Sequence, residues 1–176
     1  MDISKNYFQL FGFPVQFSID EPELSKRYRE LQKDIHPDRF AGKGDREKRL
    51  AEQFSTYVNE AYQGLMVPLA RAEYLLVLAG VEMDPQNETT NDGLFLMQQM
   101  ELREALAEVP SHENPEAALD EMSAQVKQSI ELLLQEYETA YNAGLFDQCK
   151  ASVTKLHFVT KLSREIEKLE AQILDY

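Results

Sequence analysis

Apolar residues in this chain recur at intervals of three and four almost from end to end, and the period-two alternation of a strand is nearly absent. That pattern limits the fold to packed helices, because only a helix gathers residues three and four apart onto one face. The breaks in the pattern divide the chain. A first short helix is expected around Tyr7 to Leu10, closed by Gly12 and Pro14. Asp20 can cap the next helix, with Pro22 in its first turn. Leu24, Tyr28, Leu31 and Ile35 then mark its apolar face, and Pro37 ends it. A loop holding Gly42 and Gly44 leads to a helix from about Asp45 to Met66, with Leu50, Phe54, Tyr57, Ala61 and Leu65 on one face. Two such helices joined by a short loop pack as an antiparallel hairpin. Pro68 starts another helix, PLARAEYLLVLAG, which Gly80 stops.

Residues 81–93, VEMDPQNETTNDG, are polar and turn-rich and read as a linker. Three helices are expected after it, over about 93–108, 115–142 and 145–174. The second carries Leu119, Met122, Val126, Leu133 and Tyr137 at core spacing, and the third Leu162, Ile166, Leu169 and Ile173. The expected fold class is all-α: an N-terminal helical hairpin over 1–80, a linker over 81–93, and a C-terminal three-helix bundle over 94–176. Charge follows the same division. Residues 1–80 hold 11 Lys/Arg and 12 Asp/Glu, a net of −1, whereas residues 81–176 hold 7 and 19, a net of −12.

An overall net charge of −13 argues against general nucleic-acid binding, which needs a basic surface. No apolar stretch approaches the length of a membrane span. The opening MDISKNYFQL lacks the basic and apolar regions of a signal peptide, and a reducing, cytoplasmic compartment is expected. The single cysteine, Cys149, allows no intramolecular disulfide and makes a cysteine-ligated zinc or cluster site improbable. His36, His112 and His157 share no helical ligand spacing, so no metal and no cofactor are expected.

DIHPDRFAGKGDRE, residues 34–47, raises the question of function. His36 and Asp38 could form an acid/base pair, but no serine or cysteine nucleophile is near, the loop gives no sign of a concave pocket, and AGKGD does not fit a phosphate loop. They could also be ordinary solvated loop residues. A third reading is a protein contact. Pro37 fixes its own φ and restricts His36, so the loop tip presents an imidazole and a carboxylate rigidly. Lys26, Arg27, Arg29 and Lys33 precede it as a cationic stripe, which alone would be only a solvated face.

The order of short helix, basic helix, His36-Pro37-Asp38 and third helix resembles the J-domain family, whose members dock on DnaK-type chaperones and stimulate their ATPase. Arg39 departs from the lysine usual there but keeps the charge. No Gly/Phe-rich stretch or cysteine-rich zinc region follows. Instead come RAEYLL (71–76), FLMQQMELRE (95–104) and KLHFVTKL (155–162), an order that resembles the HscB family of J-type co-chaperones of iron–sulfur cluster assembly over essentially the whole chain. The resemblance implies no enzymatic activity and two partners, an HscA-like chaperone and the scaffold protein IscU. The chaperone side would be His36, Pro37, Asp38, Lys26, Arg27, Arg29 and Lys33. An adaptor for a different client, or a structural helical bundle, are the alternatives.

FLMQQMELRE also reads from its residues. At about 100° per residue, Phe95, Leu102, Leu106 and Val109 share one face, and Leu96, Met97 and Met100 lie roughly opposite, bordered by Glu101, Arg103 and Glu104. The second face is either a partner surface or a second buried contact. The resemblance implies the partner: its scaffold-binding positions fall on Leu96, Met97, Met100, Glu101, Arg103, Glu104 and Phe158. Phe158 lies close to the core stripe of the last helix, so it could equally pack internally.

Overall fold

The computed structural model describes residues 3–40, 42–83 and 90–174. Among them the regular elements are all helical: α1 (Tyr7–Phe11), α2 (Glu21–Asp34), a 3-10 turn (Pro37–Phe40), α3 (Asp45–Met66), α4 (Pro68–Leu78), α5 (Gly93–Glu108), a second 3-10 turn (Val109–Ser111), α6 (Pro115–Asn142) and α7 (Phe146–Leu174). The chain divides into two compact units at Gly80–Val81.

In the first unit the helix ends are made by local chemistry. Asn6 Oδ1 accepts from the Gln9 N–H at 2.8 Å while Gln9 Oε1 accepts from the Asn6 N–H at 3.1 Å, a reciprocal cap on α1. Gly12 closes α1 at φ +70°, where a side chain would be strained and would also meet Arg27 at 3.0 Å. Asp20 caps α2 by accepting from the Glu23 N–H at 2.9 Å. The core is Phe8, Phe11, Leu24, Ile35, Phe54, Val58, Ala61, Leu65, Ala72, Leu75 and Leu76, all buried. Burying each large side chain stabilises by roughly 1.5–3 kcal/mol.

The face of α3 is turned slightly from the one expected. Ala51 and Val58 are buried beside Phe54, Ala61 and Leu65, whereas Leu50 is 48% exposed and Tyr57 half-buried. The neighbours of α3 decide this. Tyr57 sits at the edge, where its hydroxyl donates to the Lys5 carbonyl and its ring meets Tyr7. Gly64, in the last turn of α3, admits the Tyr7 ring, since a Cβ there would lie 2.9 Å from it. Tyr7 in turn stacks on Tyr74 at 4.0 Å.

RAEYLL is explained by packing. Arg71 is buried, donates from Nη1 to the Leu65 carbonyl at 2.6 Å, lies 3.6 Å from Glu21 and covers the Phe17 ring at 4.9 Å. One guanidinium thus joins α4 to the end of α3, the start of α2 and the loop before it.

In the second unit α6 and α7 form a long antiparallel hairpin closed by Gly144 at φ +71°. Leu119, Met122, Val126, Leu133 and Tyr137 from α6 meet Val153, Leu156, Val159, Leu162 and Ile166 from α7, all buried. Leu169 and Ile173, expected in that stripe, are only half-buried near the end of α7. The third helix, α5, is tied to α7 by Lys155–Asp92 at 2.7 Å, by the edge-on Phe95–Phe158 rings at 6.1 Å, and by Arg103–Glu165 at 3.6 Å. These pairs keep a nearly constant offset, so α5 and α7 run parallel and α6 runs against both.

Candidate functional site

Two surfaces, one on each unit, carry the candidate residues. The first is the tip between α2 and α3. The side chains of His36 and Asp38 are 60% and 89% exposed. The turn folds back on itself: His36 Nδ1 accepts from the Asp38 N–H at 3.3 Å, and Asp38 Oδ2 lies 3.4 Å from the same nitrogen. The loop is a 3-10 turn over Pro37–Phe40 rather than open coil, held by the Arg39 N–H on the His36 carbonyl at 2.9 Å. Arg39 stiffens it further by donating to Asp34 Oδ1 at 2.6 Å.

A cleft of ≈ 340 Å³ does lie close by, contrary to the sequence expectation. Ile35, Phe40, Ala51 and Glu52 are among its walls, and neither His36 nor Asp38 lines it. The imidazole and carboxylate therefore stand in water, where an acid/base pair gains nothing from a low-dielectric pocket. What they offer is a fixed display of a hydrogen-bond donor and an anion.

The cationic stripe on α2 is not uniform. Lys26, Arg29 and Lys33 are exposed. Arg27 is occupied within the fold. Its Nη1 donates to the Phe11 and Gly12 carbonyls at 2.6 and 3.0 Å, its Nε donates to Glu23 at 2.8 Å, and its plane covers the Phe13 ring at 4.6 Å. It closes the C-terminus of α1, whose last carbonyls need donors. The Arg27 and Lys26 partners hold the Glu23 carboxyl below its ordinary value. The sequence missed this duty because Arg27 and Gly12 are joined only by tertiary folding.

The second surface is on α5 and α7. Leu106 and Val109 are buried as expected, but Phe95 and Leu102 are half-buried, and the deepest residue of the N-terminal half is Gln99. On the far side Met97 and Met100 are 52% and 63% exposed, Leu96 is half-buried, and Glu101 and Glu104 are exposed. Arg103 is half-buried against Glu165. Phe158 shares both of its expected characters: its edge packs on Phe95, and part of the ring stays accessible. Leu96, Met97 and Met100 lie together on α5 bordered by Glu101, Arg103 and Glu104, and Phe158 stands on α7 against Phe95; exposed apolar side chains edged by charge are the anatomy of a protein-binding surface. Methionine suits such a patch because its thioether and three rotatable bonds adapt to a partner.

Among the described residues no group of three or more His, Cys, Asp or Glu side chains is placed to hold a metal ion. Cys149 is buried and its thiol is pushed up by desolvation, which makes it a poor nucleophile and ligand. No helix among the described residues is long and apolar enough to cross a membrane.

The same two units emerge from comparison with known proteins. A model of the DnaJ domain matches residues 2–74, and a model described as the HSCB C-terminal oligomerisation domain matches residues 91–167. The chain is 44% identical to a co-chaperone protein HscB homolog of Vibrio vulnificus, over 96% of this chain and 98% of that one. The structure is similar to the chaperone HscB from Vibrio cholerae, with a TM-score of 0.88 at 41% identity over 96% of this chain and 99% of that one. It is also similar to the human co-chaperone protein HscB, again with a TM-score of 0.88, at 33% identity over 97% of this chain and 84% of that one. With a J-type tip on one unit, a methionine-rich patch on the other and relatives aligned over nearly the whole length, the chain belongs to the HscB family of J-domain co-chaperones.

Proposed function

We propose that this protein stimulates the ATPase of an HscA-like, DnaK-type chaperone and delivers an IscU-type scaffold protein to it, promoting iron–sulfur cluster assembly and transfer in the cytoplasm. Residues 1–80 act as the J-domain, 81–93 as linker and 94–176 as the scaffold-binding bundle. The observation that carries this reading is the presence of two exposed surfaces of different chemistry on separate compact units. One is charged and stiffened by a proline-bearing turn; the other is apolar and adaptable.

On the chaperone side His36, Pro37 and Asp38 form the contact tip, and Lys26, Arg29 and Lys33 steer an acidic partner face towards it. Arg27 supports this surface by holding α2 against α1. On the scaffold side Leu96, Met97, Met100 and Phe158 supply apolar anchors, with Glu101, Arg103 and Glu104 at the rim. The cluster is cargo on the scaffold, which suits a chain with one buried cysteine. The test is a single-turnover ATPase assay with the cognate chaperone, with and without scaffold. Stimulation by this protein alone, enhanced by scaffold, is expected. No stimulation under either condition would overturn the reading, and stimulation that scaffold leaves unchanged would point to a different client.

A further inference from the structure

The second unit is strongly acidic, with 7 Lys/Arg against 19 Asp/Glu, yet its cations are gathered on one helix. Lys150, Lys155, Lys161, Arg164 and Lys168, five of the 7, stand on α7. Lys161, Arg164 and Lys168 follow one another at intervals of three and four, so they share one face of that helix. All three are exposed, and none forms an ion pair among the described residues. On α5, Glu101, Glu104 and Glu108 follow at the same intervals, are exposed as well, and also lack an ion pair among the described residues. Like charges three and four apart repel, so each stripe works slightly against its own helix, and the packing of the unit gives no reason for either.

The two stripes flank the methionines. Arg103 and Glu165, paired at 3.6 Å, mark the seam between the parallel helices α5 and α7. At about 100° per residue, turning forward from Arg103 on α5 meets Leu96, then Met100, then Glu104, Met97, Glu108 and Glu101. Turning backward from Glu165 on α7 meets Lys161, Lys168 and then Arg164. Because the helices run parallel, these two turns reach the same side of the pair, the side away from α6, against which Gln98 and Leu102 lie. The stripes also stand level along the two axes, within one turn of the register of the seam pair. Packed helix axes are roughly 8–10 Å apart, and the stripes point outward from the two edges with Leu96 and Met100 between them, so the carboxylates do not reach the cations. Charge is cancelled at the seam alone. The face that results is apolar along its middle, acidic along one edge and basic along the other.

We infer that the scaffold-binding face continues onto α7, where Lys161, Arg164 and Lys168 form a basic edge opposite the acidic edge of Glu101, Glu104 and Glu108. The inference rests on the scaffold reading of Leu96, Met97 and Met100, and adds to it the chemistry and the direction of the partner. The scaffold surface that fits carries an apolar ridge with basic side chains along one flank and acidic ones along the other. Only one direction of docking brings opposite charges together, and the reversed one sets like charges against each other on both edges. A nucleic acid or an anionic membrane would meet the basic edge but would be repelled by the acidic edge beside it and by the net charge of −12 on residues 81–176.

Calorimetry of the full chain with the scaffold protein is the test. Lys161→Gln, Arg164→Gln and Lys168→Gln together should weaken binding about tenfold, the loss of three exposed ion pairs, and leave the melting temperature unchanged. Lys161→Arg with Lys168→Arg keeps the charge and should keep the affinity. A second measurement needs no variant. A carbodiimide joins a carboxylate to an amine, and in the complex it should link Lys161 or Lys168 to an aspartate or glutamate of the scaffold, and Glu101 or Glu104 to a scaffold lysine, as read by mass spectrometry. Full affinity in the glutamine variant, or no cross-link from Lys161 and Lys168 where Glu101 and Glu104 give them, would overturn the inference. If the glutamine variant binds fully while alanine at Leu96, Met97 and Met100 abolishes binding, the scaffold reading stands and only the basic edge falls. If neither set of changes alters binding, the scaffold reading falls as well. Retention of the parent but not of the glutamine variant on phosphatidylglycerol vesicles, with equal scaffold affinity in the two, would assign the stripe to a membrane surface and overturn the inference.

Discussion

Asp38 contributes little to the fold, and its proposed role lies at the contact tip. Its side chain is 89% exposed and lies 3.4 Å from His36. Asp38→Asn is therefore expected to leave the melting temperature within about 4 °C of the parent, since exposed changes of this kind stay within roughly 0.5 kcal/mol. The same change should abolish chaperone ATPase stimulation, because a charge-assisted contact is lost. Full stimulation by the variant would remove Asp38 from the contact tip. Four cationic side chains of α2 look alike in sequence and should behave differently. Arg27→Ala leaves two carbonyls at the end of α1 without donors and should cost about 1–2 kcal/mol by denaturant unfolding, the exposed part with Glu23 adding little. Lys26→Ala and Arg29→Ala should leave stability unchanged and weaken chaperone docking, most at low ionic strength. A docking affinity flat across salt would exclude the stripe. Asp92 carries a pH signature. The Lys155 ammonium, followed by the Phe95 N–H, holds its carboxyl below the ordinary value of 3.8. A depressed folded pKa gives stability that is present above the unfolded value and lost as pH falls through the folded one. Lys155→Met should move the Asp92 titration upward in NMR, lower stability at neutral pH and flatten its further loss on acidification; an unmoved Asp92 would show the pair to be dispensable.

At the scale of the element, α5 carries the heaviest assignment. Replacing Leu96, Met97 and Met100 together with alanine should weaken scaffold binding strongly, since central apolar anchors often cost ~2 kcal/mol or more each. Basal ATPase stimulation should stay nearly unchanged. Met97 and Met100 are more than half exposed, so calorimetry should show a modest fall in stability, carried by half-buried Leu96, rather than the ~2–5 kcal/mol per residue of a core truncation. A collapse of the melting temperature would make this face core, and full-strength scaffold binding would move the client site elsewhere. Periodicity marked two apolar faces on α5; that the second is the outward one was implied only by the resemblance, and of the first only Leu106 and Val109 are buried. What periodicity could not show is that Gln99 would be the buried residue of the first turns. Its neighbours at that depth are set by how α5 leans on α7, through Asp92–Lys155 and Arg103–Glu165, which are contacts across more than sixty residues of sequence. The same holds for α3, where Leu50 and Ala51 both fit a helical stripe and the burial of Ala51 follows from the packing of its neighbours.

At the scale of the whole molecule the chain forms two compact units. The core of the first is drawn entirely from its own residues, Phe8 through Leu76. Residues 1–80 produced alone are therefore expected to fold and to keep the basal stimulation of the chaperone, and to lose the further enhancement by scaffold. An unfolded fragment by circular dichroism would show that the boundary at Gly80–Val81 is not a folding boundary.

The amino-acid sequence by itself determined the helical class, most helix ends and the split in charge. Those properties are local: caps such as Asp20, stops such as Gly12 and Gly80, and apolar spacing within one helix need no distant partner. It also displayed His36-Pro37-Asp38, because a proline restricts its neighbours wherever it stands. Tertiary structure alone decided that Arg27 closes α1, that Arg71 joins three elements from a buried position, and that Phe158 is half core and half surface. It alone turned α5 so that Gln99 faces a groove with its oxygen unpaired. Each of these depends on the depth and angle at which one helix meets another, which is the outcome of packing many side chains at once and is written in no single stretch of the chain.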